Sequence, residues 1–291
     1  MVNKINFIIP DFLNVEECTY LLSTFSSYKE VLKDNIEIIG FVGSFPGCVW
    51  NKCNKKENRY KLDENTLVNI KKKYNDELQV SLYIIFNNEN ININELDDVY
   101  SNMIIKTFND KRNYVLCNSK SLKEYIKDQF KKINVIDYYS ETNKEDVFLI
   151  VEELNDDLLE KEKDFKSKLI VIPNGDFNNK KNMYKHSLND SVLNKINPKK
   201  YRYFNKTNSN SFYERKISKY YISFENMVRL ASNGINTFML SGLGVYNIAM
   251  YENIIDYLYK DEYKVDARII AYNRLIQYKE QECNAIFNYR L

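Results

Sequence analysis

The sequence predicts an α/β fold, a single (β/α)8-like barrel of the TIM type, and three observations lead to that prediction. Short runs rich in β-branched apolar residues recur about eight times along the 291 residues. Helical patterns follow most of these runs, as expected for parallel strands that are joined by crossover helices and buried on both faces. Three runs end in asparagine. Barrel enzymes place their chemistry at these carboxyl strand ends.

The first half of the chain contains four predicted strands, each followed by a helix. Asp63, and Ser119 or Ser121, precede the helices after the second and fourth strands, and short polar side chains of this kind are typical N-caps. One helix over residues 94–108 is predicted after the third strand. The strands are predicted at residues 5–9, 36–42, 80–86 and 114–117.

The second half continues the alternation less regularly. Only a short polar connection follows the fifth strand, which is compatible with a distorted barrel or with an open doubly wound sheet. Residues 1–291 are predicted to form one barrel domain with a basic insertion at about 175–222. The strands are predicted at residues 135–139, 147–151, 169–172 and 235–240.

Composition indicates a globular protein without a membrane span. No run reaches the roughly 18 apolar residues that a span requires, and the N-terminus lacks a basic stretch before an apolar core, so we expect a cytoplasmic protein. The five cysteines are scattered and odd in number, which favours reduced thiols. Cys48 and Cys53 are too far apart for a CxxC pair. We therefore predict no metal and no cofactor.

Polar residues at strand ends are the predicted substrate-binding residues. Asn87, Asn118 and Asn174 directly follow the third, fourth and seventh strands, and Ser241 follows the eighth. Converging amides can orient a polar ligand through both donors and acceptors. Alternatively, asparagine at a strand end begins a turn or caps a helix. Trp50, the only tryptophan, lies in the turn-rich loop after the second strand and joins this set.

Three side chains are candidates for acid–base chemistry. Glu152 follows the sixth strand, and Asp176 comes two residues after Asn174. Burial can adjust the pKa of such carboxyl groups for proton transfer. His186, the only histidine, lies in a polar context and could exchange protons or contact a phosphate, although a surface histidine without a role is the alternative.

A basic segment lies between the seventh and eighth strands. Residues 178–220 contain eleven basic residues and two acidic ones, a net charge of +9, whereas the rest of the chain carries −7. Tyrosine and phenylalanine interleave these charges. Lys and Arg contact phosphates and aromatic faces stack bases, so Lys199, Lys200 and Arg202 are predicted to bind an anionic small molecule or RNA. A solvated insertion or an oligomer contact is the alternative; the oligomeric state stays open.

Four segments resemble the collagenase-type peptidase family and its relatives that hydroxylate RNA bases or quinones. They are FVGSFPGCVWN, YVLCNSKSLKEYIK, LIVIPNGDFNNKKNMYKHS and YYISFENMVRLASNGINTFMLSG. The resemblance implies a barrel enzyme of peptidase/hydroxylase-like ancestry, with the reaction unassigned. The relatives' cysteine-bearing segment reads Phe177 and lysines here, and their Ser-Gly-Arg reads Ser241, Gly242, Leu243. The iron–sulfur cluster of the hydroxylating relatives is therefore not implied. A catalytically inactive barrel acting as a binding or scaffold protein is the alternative.

Overall fold

The computed structural model describes residues 4–10, 12–13, 15–51, 61–88, 90–117, 119–138, 147–150, 166–173, 221–240 and 248–288. Each described strand pairs in parallel with the next, and β8 also pairs with β1. The architecture is therefore an α/β barrel-like fold. Its strands are β1 (Ile5–Pro10), β2 (Ile36–Gly43), β3 (Ser81–Phe86), β4 (Tyr114–Cys117), β5 (Asn134–Tyr138), β6 (Val147–Ile150), β7 (Leu169–Val171) and β8 (Thr237–Met239).

Helices fill most of the described connections and follow β8. None of the described helices is both long and apolar enough to cross a membrane. A π-helical turn over Lys72–Glu77 extends the helix after β2. The helices are α1 (Val15–Ser27), α2 (Glu64–Lys71), α3 (Ile93–Leu96), α4 (Val99–Phe108), α5 (Lys120–Gln129), α6 (Phe224–Ser232), α7 (Ile248–Leu258) and α8 (Lys264–Asn288).

Capping side chains explain where several helices begin. Asp63 accepts a hydrogen bond from the backbone N–H of Thr66 at 2.8 Å, and Ser119 accepts one from Leu122 at 3.3 Å. Both predicted caps are confirmed. The single helix predicted over residues 94–108 is wrong, because Asp98 caps a new helix by accepting from the N–H of Ser101 at 2.8 Å. That cap divides the segment into α3 and α4.

The shortest connection between neighbouring strands joins β5 to β6. Only residues 139–146, which lie outside the described residues, separate these two parallel strands. A crossover that includes a helix usually needs at least ~10–12 residues.

Two apolar cores lie on opposite faces of the strands. The inner core draws its residues from seven strands and their ends and from no described helix, so it fills the inside of the barrel. The outer core packs the opposite strand faces, including Phe7, Phe41 and Phe238, against the surrounding helices. This division follows from the alternation of side chains along each strand. The inner residues are Ile8, Val42, Tyr83, Ile85, Leu116, Ile136, Ile170, Ile172 and Met239.

A tyrosine pair occupies the inner core beside a glycine. The rings of Tyr83 and Tyr114 stack with centroids 4.6 Å apart and planes 3° apart. Burial raises the pKa of Tyr83 above its usual value. A Cβ on Gly40 would lie 2.6 Å from Cε2 of Tyr83 and 2.5 Å from the carbonyl oxygen of Ser81. Gly40 therefore leaves the space that the stacked rings and the β2–β3 ladder occupy.

Candidate functional site

Four buried polar residues lie at the carboxyl ends of β2 and β3. Ser44 follows β2 directly, and Asn87 and Asn88 follow β3. Asn51 is the last residue of a short 3-10 turn, Val49–Asn51, in the loop after β2. These residues are between 2% and 7% exposed, although the barrel interior beneath them is mainly aliphatic. This end of the barrel is therefore polar, whereas its centre is mainly apolar. Buried polar groups require hydrogen-bond partners.

Asn51 and Asn88 hold the loop after β2 against the end of β3. The Asn51 side chain accepts from the backbone N–H of Asn87 at 3.2 Å and donates to the carbonyl of Phe45 at 3.1 Å. Asn88 donates from its side chain to Val49 O at 3.2 Å and from its backbone to Trp50 O at 2.9 Å. Their amides thus organise the backbone around the strand ends.

Trp50 is fully buried beside the same strand end. Its indole N–H donates to the carbonyl of Glu95 at 2.8 Å. The ring meets Phe86 edge-on at 5.1 Å and Tyr125 at 6.0 Å. In this conformation the indole joins β3 to α3 and α5. A direct contact between Trp50 and a substrate stays a prediction.

Ser44 and Asn87 continue the inward-facing positions of their strands. Ser44 comes two residues after Val42, and Asn87 two residues after Ile85, and both Val42 and Ile85 belong to the inner core. Side chains two residues apart in a strand share a face. The Ser44 hydroxyl is buried and has no hydrogen-bond partner among the described residues. Sequence reasoning missed Ser44, although it ends the run IEIIGFVGS as Asn87 ends the next run.

All of the other predicted site residues lie outside the described residues. Three of them share the sequence spacing of Ser44 and Asn87, since each comes two positions after an inner-core residue. These pairs are Leu116 with Asn118, Ile172 with Asn174, and Met239 with Ser241. The remaining residues outside the described part are Glu152, Asp176, His186, Lys199, Lys200 and Arg202.

The thiols of Cys18, Cys48 and Cys117 are buried. Burial raises the pKa of Cys48 to about 12, and its Sγ lies 3.2 Å from the hydroxyl of Ser101. Burial raises the pKa of Cys117 to about 12 as well. Thiolates, not thiols, are nucleophiles and metal ligands. Within the described ranges no group of three or more His, Cys, Asp or Glu side chains could hold a metal ion; Cys53 lies outside those ranges.

A cavity lies on the outer side of the strands, between α1, α7 and α8. Its volume is about 620 Å³, and its floor includes the outward-facing Ile9 and Phe41. The nearly buried carboxylate of Glu17 accepts from Arg274 Nε at 3.2 Å and from the hydroxyl of Tyr251 at 3.0 Å. The charges of Glu17 and Arg274 offset each other, Asp266 is a further charged residue of the lining, and the walls are mainly apolar. The polar strand ends are the better candidate for chemistry.

Comparison of the chain with protein-family models, with curated proteins and with solved structures found no match. The resemblance to collagenase-type peptidases and base or quinone hydroxylases therefore stays a prediction. The candidate site consists of the carboxyl ends of β2 and β3, with Ser44 and Asn87 facing the interior and Asn51 and Asn88 supporting them.

Proposed function

We propose that the chain is a (β/α)8-type barrel that binds a small phosphate-bearing compound at its carboxyl strand ends. Peptidase/hydroxylase-like ancestry is part of this proposal, and the reaction is unassigned. The observation that carries it is the burial of Ser44 and Asn87 above an interior composed mainly of aliphatic side chains. The buried Ser44 hydroxyl, which has no hydrogen-bond partner among the described residues, adds nothing to the stability of the fold, whereas a ligand-binding site requires such polar groups.

The chemistry of the strand ends suits an anionic oxygen. The Ser44 hydroxyl can donate a hydrogen bond, and such a bond to an ionised acceptor is shorter and stronger than a bond between neutral groups. The Asn87 side chain carries both a donor amide and an acceptor carbonyl. Ser44 is 2% exposed and Asn87 is 5% exposed. A small ligand with a terminal phosphate can reach such recessed groups more readily than a polymer backbone. We therefore favour a small molecule over RNA.

The basic segment would supply the positive charge that the described strand ends lack. Barrels often bind phosphate with the loops after their seventh and eighth strands, and residues 178–220 lie between β7 and β8. Lys199, Lys200 and Arg202 would attract the anion and contact it. The ligand would also be contacted by the other polar residues predicted at strand ends, Asn118, Asn174 and Ser241.

Glu152, Asp176 and His186 are the proposed acid–base groups. Proton transfer requires a titratable side chain within hydrogen-bond reach of the reacting atom. The competing proposal is a catalytically inactive barrel that binds the same ligand or serves as a scaffold. The absence of the relatives' cysteines and of their arginine after Ser241 favours this alternative. Turnover of a bound phosphate compound would distinguish the two.

Replacing Lys199, Lys200 and Arg202 together by alanine tests the proposal. We expect binding of a nucleoside monophosphate or a sugar phosphate to weaken by about tenfold or more at low salt, because the lost contacts are electrostatic, and by less at high salt. The melting temperature should change by less than about 2 °C, since in this proposal these side chains serve the ligand and not the fold. Isothermal titration calorimetry at two salt concentrations measures the effect.

A matched triple variant removes equal charge at the opposite end of the barrel. Lys106, Lys111 and Lys131 are exposed and lie before β4 and β5. Their replacement by alanine should leave phosphate binding within about twofold of wild type, apart from a small long-range effect at low salt. Equal losses in the two triple variants would show a general charge effect and contradict the proposal. Preferential binding of single-stranded RNA would replace the small-molecule proposal by its nucleic-acid counterpart.

A further inference from the structure

We infer that the Ser44 hydroxyl donates a hydrogen bond to an anionic oxygen of the bound ligand, and this inference rests on the proposed function. Ser44 is 2% exposed, and its Oγ has no hydrogen-bond partner within the described part of the chain. A buried hydroxyl without a partner loses its hydration without replacement, so native proteins rarely retain one without a reason.

The other buried serine hydroxyls in the described chain do have partners. Ser101 is fully buried, and its Oγ donates to Asp98 at 2.7 Å and lies 3.2 Å from the sulfur of Cys48. Ser119 is 3% exposed, caps α5, and lies 2.9 Å from the hydroxyl of Ser121. The fold thus satisfies hydroxyls that serve its own structure. Ser44 differs from them because its hydroxyl has no partner among the described residues. It also lies at the end of the barrel where we propose that a ligand binds.

The strand register gives the depth of Ser44. Val42 pairs with Tyr83 and Gly43 with Ile84 across β2 and β3. The pairing ends there, and one further step in the same register would place Ser44 beside Ile85, two residues before Asn87 along the chain. Two residues of strand correspond to about 7 Å. A ligand group that reaches Ser44 must therefore pass Asn87 and enter further into the barrel. This depth favours a small terminal group.

The chemical type of the ligand group follows from what surrounds Ser44. In that register the inward-facing neighbours of Ser44 on β2 and β3 would be Val42 and Ile85, which are both apolar, and Tyr83 is the further inner-core residue of β3. In such surroundings a neutral hydroxyl forms its strongest hydrogen bond with an ionised oxygen. A buried phosphate requires several hydrogen-bond donors or compensating charge, so Ser44 would be one donor among several. Ser44 would then help to fix the position of the phosphate.

The test compares wild type with Ser44→Ala and with Ser101→Ala as a matched control. Calorimetric titration with a nucleoside monophosphate and with a sugar phosphate measures binding, and thermal melting measures stability. We expect Ser44→Ala to weaken binding about tenfold while its melting temperature stays equal or rises, because an unpartnered buried hydroxyl is removed. Ser101→Ala should lower the melting temperature and leave binding unchanged, since its hydroxyl serves the fold.

Each other outcome overturns the inference in a distinguishable way. Equal binding by wild type and Ser44→Ala would remove the role of Ser44 and leave the proposed function standing. A melting temperature that falls by about 3 °C or more in Ser44→Ala would show that the hydroxyl has a structural partner within the protein. Failure of wild type to bind either phosphate compound would end both the inference and the proposed function.

Discussion

Gly40→Ala should destabilise the protein by about 3 kcal/mol, and Gly40→Val by more. A Cβ at this position would lie 2.5 Å from the carbonyl oxygen of Ser81, and Gly40 pairs with Ser81 in the β2–β3 ladder. The backbone cannot move away without loss of strand pairing. The same Cβ would press on Tyr83, whose ring is held by its stack with Tyr114. Chemical denaturation followed by far-UV circular dichroism measures the change.

Two further variants separate the causes of that loss. Tyr83→Leu in the Gly40→Ala background removes the ring but not the clash with Ser81, so we expect a partial recovery only. Ile39→Val, at the neighbouring half-buried position, is the control and should cost about 1 kcal/mol. An unchanged denaturation midpoint for Gly40→Ala would contradict the close approach of β2 and β3.

Asn113→Ala should cost about 3 kcal/mol, because it breaks a buried amide pair. Asn75 and Asn113 exchange two side-chain hydrogen bonds, each 2.9 Å long. The side-chain oxygen of Asn113 also accepts a hydrogen bond from the backbone N–H of Leu82 at 3.1 Å, and its side-chain amide donates one to the backbone carbonyl of Phe108 at 3.1 Å. Replacement by alanine leaves these groups buried and unsatisfied at the start of β3 and β4.

A double-mutant cycle with Asn75→Ala tests the pair directly. The two single losses should not add, because either substitution already breaks both reciprocal bonds, and the coupling should reach about 1–2 kcal/mol. Asn226→Ala, at an exposed position on α6, is the control and should change stability by less than about 0.5 kcal/mol. Additive losses would show that the pair is not one unit. Phosphate binding should survive in all three asparagine variants, since these side chains lie far from the carboxyl strand ends.

The strands could be predicted from sequence because buried parallel strands read as uninterrupted apolar runs. The runs before Asn87 and Asn118 match β3 and β4 closely. Helix caps could also be predicted where one short polar residue precedes a helix, as at Asp63. The division between α3 and α4 could not be predicted, because Asp98 interrupts a stretch whose apolar spacing remains helical on both sides. There a local hydrogen bond prevails over periodicity.

The candidate site was predictable only in part. Asn87 attracted notice because asparagine follows three apolar runs, and the structure buries it at the end of β3. Ser44 did not, because a serine between Gly43 and Phe45 reads as the start of a turn. Its burial depends on packing between distant strands, which a single run of sequence does not reveal. The asparagines that support the loop, Asn51 and Asn88, required the structure for the same reason.

A crystal structure of the protein soaked with a nucleoside monophosphate tests the central claim most directly. We predict density for the phosphate at the carboxyl strand ends, with one of its oxygens about 2.6–3.0 Å from the Ser44 hydroxyl and with the ligand also near Asn87. Ligand density in the cavity between α1, α7 and α8, or at the amino ends of the strands, with none near Ser44, would contradict the account.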